Sequence, residues 1–544
     1  MQKDVFFILL EFSSDSDESS IQDSYEERSE AFMNSYWIDS CKGIGDFKKI
    51  DRDYAADVCV VGAGICGLSI GYYLAKAGLR VIILDKDGVG EKASGHTTAK
   101  ITLQHNLVYD YLINSFGAEK ALQYFLANKE AISNIKKIID TENINCDFEV
   151  QPNFVYATKT EDIAKIQSEI KAINILNACV EGTEKHESFA EFVTDCGLPF
   201  KVAGAIKIDK QAQFHPRKYM LGLARTIKEY GGLIFTNSRV TDCKKDGKGY
   251  ITYTDGYTVK SKYVVIASHY PFINFPGFHF LKMYQETSYA IAIETKKTLP
   301  EGMFINEKEP VLSFRSAKYG DKRLLIIGGG GHKTGYAPEN DVNYGYDCLE
   351  KEAKKLYPDC NILYKWNTRD CVSLDKVPYI GGFSNFMPNM YVATGFNKWG
   401  MTSSNVAANI ITDRILGNEN KYADIFDSTR LKPVKNRAEL KNMVGQVVKS
   451  FTSNRIKIPK ENLGAIKNDN GGIIDFAGSS IGVYKDKDGN VFAVNPTCSH
   501  LGCLLTWNNV DKTWDCPCHG SRFDYTGKNL YDPAFRDLKK YEIE

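Results

Sequence analysis

The chain has 544 residues, 43% of them hydrophobic and 25% charged; that is an ordinary globular composition, and it is too long for one core, so two or three folding units are expected. The formal net charge is zero, which excludes the overall basic excess that favours nucleic acid or an anionic membrane. The longest early apolar run, Val5 to Leu10, is far short of a membrane span and is flanked by Asp4 and Glu11, so no transmembrane segment or signal peptide is read and a cytoplasmic protein is expected.

Residues 13–30 (SSDSDESSIQDSYEERSE) are acidic and serine-rich, with little to bury, and residues 1–30 are expected to be a disordered extension without chemistry. From Ala56 to Asp85 an apolar strand, a glycine turn, an amphipathic helix ending at Gly78 and a second apolar strand follow one another. That is a βαβ unit. Tyr263–Ser268 and Met390–Thr394 read as further strands of a parallel sheet, whereas Ser288–Thr295 and Arg323–Ile327 read as strands of a second sheet. The two sheets interleave along the chain. After Asp427 comes a charged stretch, then short strands with turn signals such as Asp488-Gly489-Asn490, which predict a small β domain.

The turn Gly62-Ala63-Gly64-Ile65-Cys66-Gly67 follows a strand and opens a helix, with Asp85 closing the next strand. This is the full context of a dinucleotide site. Gly62 permits the tight turn, Gly64 lets a pyrophosphate approach the backbone, Gly67 allows helix-strand contact, and Asp85, followed by Lys86, accepts hydrogen bonds from a ribose. The fingerprint serves NAD and FAD alike. Gly328–Thr334 (GGGGHKT) almost spells a phosphate loop, but His332 stands where that motif needs glycine.

Across roughly residues 50–420 the sequence resembles the D-amino-acid oxidase/glycine oxidase (DAO) family of flavoproteins. The likeness rests on the fingerprint, on Ala93–Ala99 (ASGHTTA), on Val264–His269 and on Gly395–Thr402 (GFNKWGMT). It implies noncovalent FAD, with Ser94, Thr97 and Thr98 along the pyrophosphate and flavin and the backbone of Val240 meeting the adenine. Gly395 would lead into a helix whose Gly400, Met401 and Thr402 aim N–H groups at the flavin pyrimidine. A helix N-terminus suits the negative charge of a reduced flavin. As a bare pattern the same residues are a capped helix start. The resemblance also brings Arg315, His332, Lys333 and Lys398 toward the flavin and substrate as catalytic candidates.

Of 14 cysteines, only Cys498, Cys503, Cys516 and Cys518 cluster with histidines. Cys498-Ser499-His500 and Cys516-Pro517-Cys518-His519 form C-x-H and C-x-x-H separated by fifteen residues. Two loops each offering one cysteine and one histidine suit a Rieske [2Fe-2S] cluster, with Cys498 and Cys516 on one iron and His500 and His519 on the other. The same residue types also suit zinc. The fuller runs CSHLGC and CPCHGS resemble Rieske proteins over about the last ninety residues. That resemblance implies a Cys503–Cys518 disulfide, and it makes Asp532-Pro533-Ala534 the proline loop covering the cluster. Ser521 keeps a serine donor to the cluster, whereas Phe523 replaces the tyrosine of high-potential members.

The predicted fold is an α/β Rossmann-like FAD-binding domain (about 50–110, 205–275 and 370–425) interleaved with an α+β substrate domain (about 145–205 and 276–365). A linker at 426–454 and a small all-β Rieske domain at 455–544 complete it. The expected activity is FAD-dependent oxidation of an amine or amino-acid-like small molecule by hydride transfer, on CH-NH or CH-NH2 groups. Electrons would pass through the cluster to an unidentified electron acceptor or donor. The rivals are an NAD(P)H-fed reductase, for which no second nucleotide fingerprint is found, and a non-enzymatic redox sensor. A Rieske oxygenase would need a mononuclear iron site, and the remaining seven histidines form no obvious paired motif.

Overall fold

The computed structural model describes residues 35–42, 45, 47–180, 188–336, 344–430, 463–476 and 478–542. The expected extension at 1–30 and all but the first residues of the expected linker at 426–454 lie outside them.

Strand β1 (Tyr54–Val61) is followed by helix α1 (Ile65–Lys76) and strand β2 (Val81–Leu84). β1 pairs in parallel with β2 on one side and with β3 (Thr258–Ile266) on the other. Beyond β3 lies β7 (Met390–Thr394), again parallel. The inner halves of β1 and β2 are uninterrupted apolar runs because helices cover the sheet. Leu68, Ile70 and Leu74 of α1 share one core with Val406, Ala407 and Ile410 of α2 (Gly400–Leu416). Gly417, at φ +82°, ends α2 in the left-handed conformation that stops a helix.

The second sheet has nine strands and places β6 (Asn361–Ser373) at its edge, then β4 (Met283–Glu294), then β5 (Lys322–Lys333). The predicted strand at 323–327 falls within β5, and that at 288–295 coincides with the end of β4 apart from residue 295. Residues 204–213 and 361–373 also belong to this sheet. The pieces expected to begin at about 205 and 370 therefore start on strands of this sheet. The tract at 328–334 is largely β-strand rather than a turn opening a helix, so it has no phosphate-loop geometry. Arg430 still packs on the flavin domain, its guanidinium 3.9 Å from the Tyr379 ring and paired with Asp375.

Residues 463–542 form two four-stranded antiparallel sheets. Their core gathers Trp514, Phe523 and Leu505 around Cys498, Cys503, Cys516 and Cys518. A buried network fixes one flank: Arg522 pairs with Asp511 at 2.8 Å and with Asp515 at 2.6 Å. No helix among the described residues is long and apolar enough to cross a membrane.

Candidate functional site: a flavin cavity beneath an iron–sulfur domain

Each glycine of the fingerprint has a separate steric reason. Gly62 has φ +112°, and a Cβ there would lie 2.5 Å from the Ala267 carbonyl oxygen. At Gly67 a Cβ would lie 1.9 Å from the Gly62 oxygen, so it is the close helix-strand contact. A Cβ on Gly64 would meet only Ser94 Oγ, at 3.0 Å, and Gly64 otherwise faces a cavity of about 650 Å³. Ser94 Oγ accepts from the Ile65 amide. Asp85 is held from two sides, accepting from the amides of Ala63 at 2.6 Å and Asp87 at 2.8 Å. Burial raises its carboxyl to about 6 against those two donors.

The cavity runs from this turn, past Lys86, Thr97, Thr98 and Val240, to Lys398, Gly400 and Met401. Gly395 lies behind this wall at φ +71° against Met283 and Ser373, turning the chain into α2. At the start of α2 the first turn leaves backbone N–H groups without helical partners. The Thr402 hydroxyl is turned away, buried against His105 Nε2 at 3.1 Å. His105 in turn stacks on Trp399 at 5.0 Å. Open space over Gly64, the carboxyl of Asp85 and the N-terminus of α2 on one cavity are the features that would hold FAD.

The catalytic candidates separate. Lys398 lines the cavity, with Nζ 2.7 Å from Glu286 Oε2. Glu286 and Asp370 are register partners on β4 and β6. Burial, with a smaller push from Glu286, raises the Asp370 carboxyl to about 6 against the pull of Lys398. Burial would lower Lys398, but Glu286 and Asp370 leave it raised. Arg315 is a correction: it does not line the cavity. Its Nη1 donates to the carbonyls of Thr98, Ala99 and Phe214 and its Nε to that of Ser316, while its guanidinium lies 5.2 Å from the Trp37 ring. His332 and Lys333 are also outside the cavity lining. His332 packs on Tyr344 and Tyr289, and Lys333 lies over Tyr336 and Tyr284.

The iron–sulfur candidates lie close together in the β domain. The rings of His500 and His519 are 5.1 Å apart, and neither Nδ1 has a hydrogen-bond partner. Burial lowers His500 to about 4 and His519 to about 3, so both rings are neutral, the ligating form. Cys498 and Cys516 are buried free thiols. Cys503 and Cys518 form the expected disulfide, with Cα atoms 6.6 Å apart. The sulfurs of Cys503, Cys516 and Cys518 also lie within metal-binding reach of one another. With two of those three sulfurs in the disulfide, the ligand set that fits is Cys498, Cys516, His500 and His519.

Both ligand histidines face the flavin domain. Asn274 lies 2.8 Å from His500 Nε2, and the Phe280 ring is edge-on to His519 at 5.7 Å. Gln285 lines the flavin cavity, and a Cβ on Gly520, next to His519, would lie 2.7 Å from its side chain. Lys86, expected at the cofactor, is tied to Asp532 of the β domain at 2.8 Å. Sequence reasoning missed Glu286, Asp370, His105, Asn274 and Gln285. Isolated polar residues on strands and loops carry no local motif.

Comparison with known proteins matches residues 57–414 to the family described as FAD dependent oxidoreductase. Residues 461–542 match the Rieske [2Fe-2S] domain. The Rieske 2Fe-2S iron-sulfur protein YhfW of Bacillus subtilis (strain 168) is 33% identical over 510 residues, 94% of this chain and 98% of that protein. Gamma-glutamylputrescine oxidoreductase of Escherichia coli (strain K12) is 23% identical over 72% of this chain and 90% of its own length. Among solved structures, glycine oxidase from Geobacillus kaustophilus superposes with a TM-score of 0.58 at 19% identity, covering 70% of this chain and all of that one. The two-sheet fold, the cavity over Gly64 and the paired cysteine-histidine loops agree with both matches, and the chain belongs to the FAD dependent oxidoreductase (DAO) family and carries a Rieske [2Fe-2S] domain.

Proposed function

We propose that the protein oxidises an amine or amino-acid-like substrate and that the electrons leave one at a time through the Rieske centre. Bound FAD would supply a two-electron hydride acceptor for the substrate C–H bond, the iminium left behind becoming an imine on losing its N–H proton to solvent, and a cluster held by Cys498, Cys516, His500 and His519 would supply a one-electron carrier. The reading is carried by the placement of Gln285, which lines the flavin cavity while packing against Gly520, beside the cluster ligand His519. Glu286 and Asp370 offer carboxylates to a substrate ammonium or amine. Lys398 offers a cation to a carboxylate and holds Glu286 in place. The named activities of the glycine oxidase, the E. coli oxidoreductase and the L-amino acid deaminase of Proteus vulgaris (TM-score 0.57, 17% identity, over 72% of this chain and 97% of that one) support the same substrate class.

Anaerobic stopped-flow spectroscopy with a panel of amines and amino acids tests the proposal. Flavin bleaching is expected first and cluster reduction second. Gly64→Val, which fills the gap over the turn, should remove FAD and abolish substrate-driven cluster reduction. An unchanged rate of cluster reduction in that variant would overturn the relay.

A further inference from the structure

The Rieske resemblance makes Asp532-Pro533-Ala534 the proline loop covering the cluster. Its Ala534 amide does donate to Ser521 Oγ, at 3.0 Å, in the core that holds Cys498 and Cys516. The same loop has a second face. Tyr531, Asp532 and Phe535 line the cavity that Gly64, Asp85 and Val240 also line. The Asp532 carboxylate lies 2.8 Å from Lys86 and 3.9 Å from Arg239. Lys86 follows the ribose-facing Asp85, and Arg239 precedes Val240, so both cations stand at the adenosine end of the cavity. The Tyr531 ring has cations at 4.0 Å (Arg369) and 5.2 Å (Lys92), and both residues line the cavity.

We propose that Tyr531 and Asp532 are FAD-binding residues supplied by the Rieske domain. Asp532 fixes Lys86 and Arg239, whose side chains would otherwise lose rotamer freedom when the cofactor binds, and so lowers the cost of binding. Tyr531 fixes Lys92 and Arg369 in the same way and closes the cavity wall. Water excluded there strengthens every interaction with the pyrophosphate anion. One five-residue loop therefore touches both cofactor sites, and by linkage FAD must stabilise the docked Rieske domain as much as that domain stabilises bound FAD. The inference rests on the two cofactor sites and is independent of the substrate and of the direction of electron flow.

The test uses full-length protein stripped of FAD but loaded with its cluster, titrated with FAD and followed by quenching of FAD fluorescence. Tyr531→Leu and Asp532→Asn should each raise the Kd by about tenfold, and Asp532→Lys, which sets three cations together, by more. Lys540→Ala, on the edge strand of the other sheet of the same domain and outside the cavity lining, should stay within about twofold of wild type. The rhombic EPR signal of the reduced cluster should be unchanged in the two milder variants. In wild type, FAD should raise the temperature at which cluster absorbance is lost, and in Asp532→Lys it should not. FAD affinity within twofold of wild type in both Tyr531→Leu and Asp532→Asn, with their clusters intact, would overturn the proposal. If Asp532→Lys fails to hold its cluster, those two milder variants decide.

Discussion

The side-chain amide of Asn274, on a loop of the flavin domain, meets Nε2 of the cluster ligand His500, with Nδ2 at 2.8 Å and Oδ1 at 3.1 Å. A histidine that binds iron through Nδ1 carries its proton on Nε2, so the amide must turn its oxygen to accept. An acceptor on that N–H makes the imidazole a stronger donor and favours the oxidised, more positive cluster. Asn274→Ala should therefore raise the cluster potential. One hydrogen bond is worth about 1 kcal/mol, and 59 mV corresponds to about 1.4 kcal/mol for one electron, so the rise should be about 40 mV. Voltammetry on variant protein with full iron content measures it, and a lowered potential would refute the assignment.

Phe523 tunes the same centre from inside. It is fully buried in the core that holds Cys498 and Cys516, and the Rieske resemblance read from the sequence implies a tyrosine here in high-potential members. Ser521 remains as a donor, its oxygen accepting from Ala534. A hydrogen bond to a charged group is worth roughly 1.5 to 3 kcal/mol, or about 60 to 130 mV for one electron. Phe523→Tyr should raise the potential by less than that, because the bond also stabilises the oxidised cluster somewhat. Voltammetry decides, and no rise in a variant with an intact EPR signal means that Phe523 does not set the poise.

Asp370 gives the substrate side a pH dependence. Burial and Glu286 raise its carboxyl to about 6, above the ordinary value of 3.8. It is therefore neutral below that pH and becomes an anion as pH rises through it, while Lys398 stays charged. For a cationic amine, KM in flavin reduction should fall as pH rises from about 5 to 7. Asp370→Asn should flatten that profile. A profile unaltered by the substitution would place the titrating group elsewhere.

Arg315 should matter for stability rather than for substrate. The Ser316 carbonyl also accepts from Gln213 Nε2 and the Thr98 bond is only part-buried, so Arg315→Met mainly strands the buried Ala99 and Phe214 carbonyls, at a cost of about 2 to 4 kcal/mol. The expected result is a lower urea midpoint for loss of flavin with the substrate KM unchanged. A raised KM at unchanged stability would return Arg315 to the active site.

The predicted strands, the glycine turn and the paired cysteine-histidine loops were legible because each is a contiguous pattern. Gly62 and Gly67 are required by backbone contacts that only a residue without a side chain can make. The four candidate Rieske ligands stand out by loop spacing. Arg315 misled because a long cation near a cofactor motif looks the same in sequence whether it faces a cavity or a set of carbonyls. The expected divisions near 205 and 370 fall on single continuous strands, which no composition change marks.

By itself, then, the sequence determined the two cofactor folds, since the glycines, cysteines and histidines that define them act through local backbone geometry. Only the tertiary structure decided how those folds face one another. The contacts that set this are Asn274 with His500, Gln285 with Gly520 and Lys86 with Asp532, pairs more than two hundred residues apart. Each is an ordinary surface residue until docking supplies its partner, and docking depends on shape and charge summed over both surfaces, which no local pattern records.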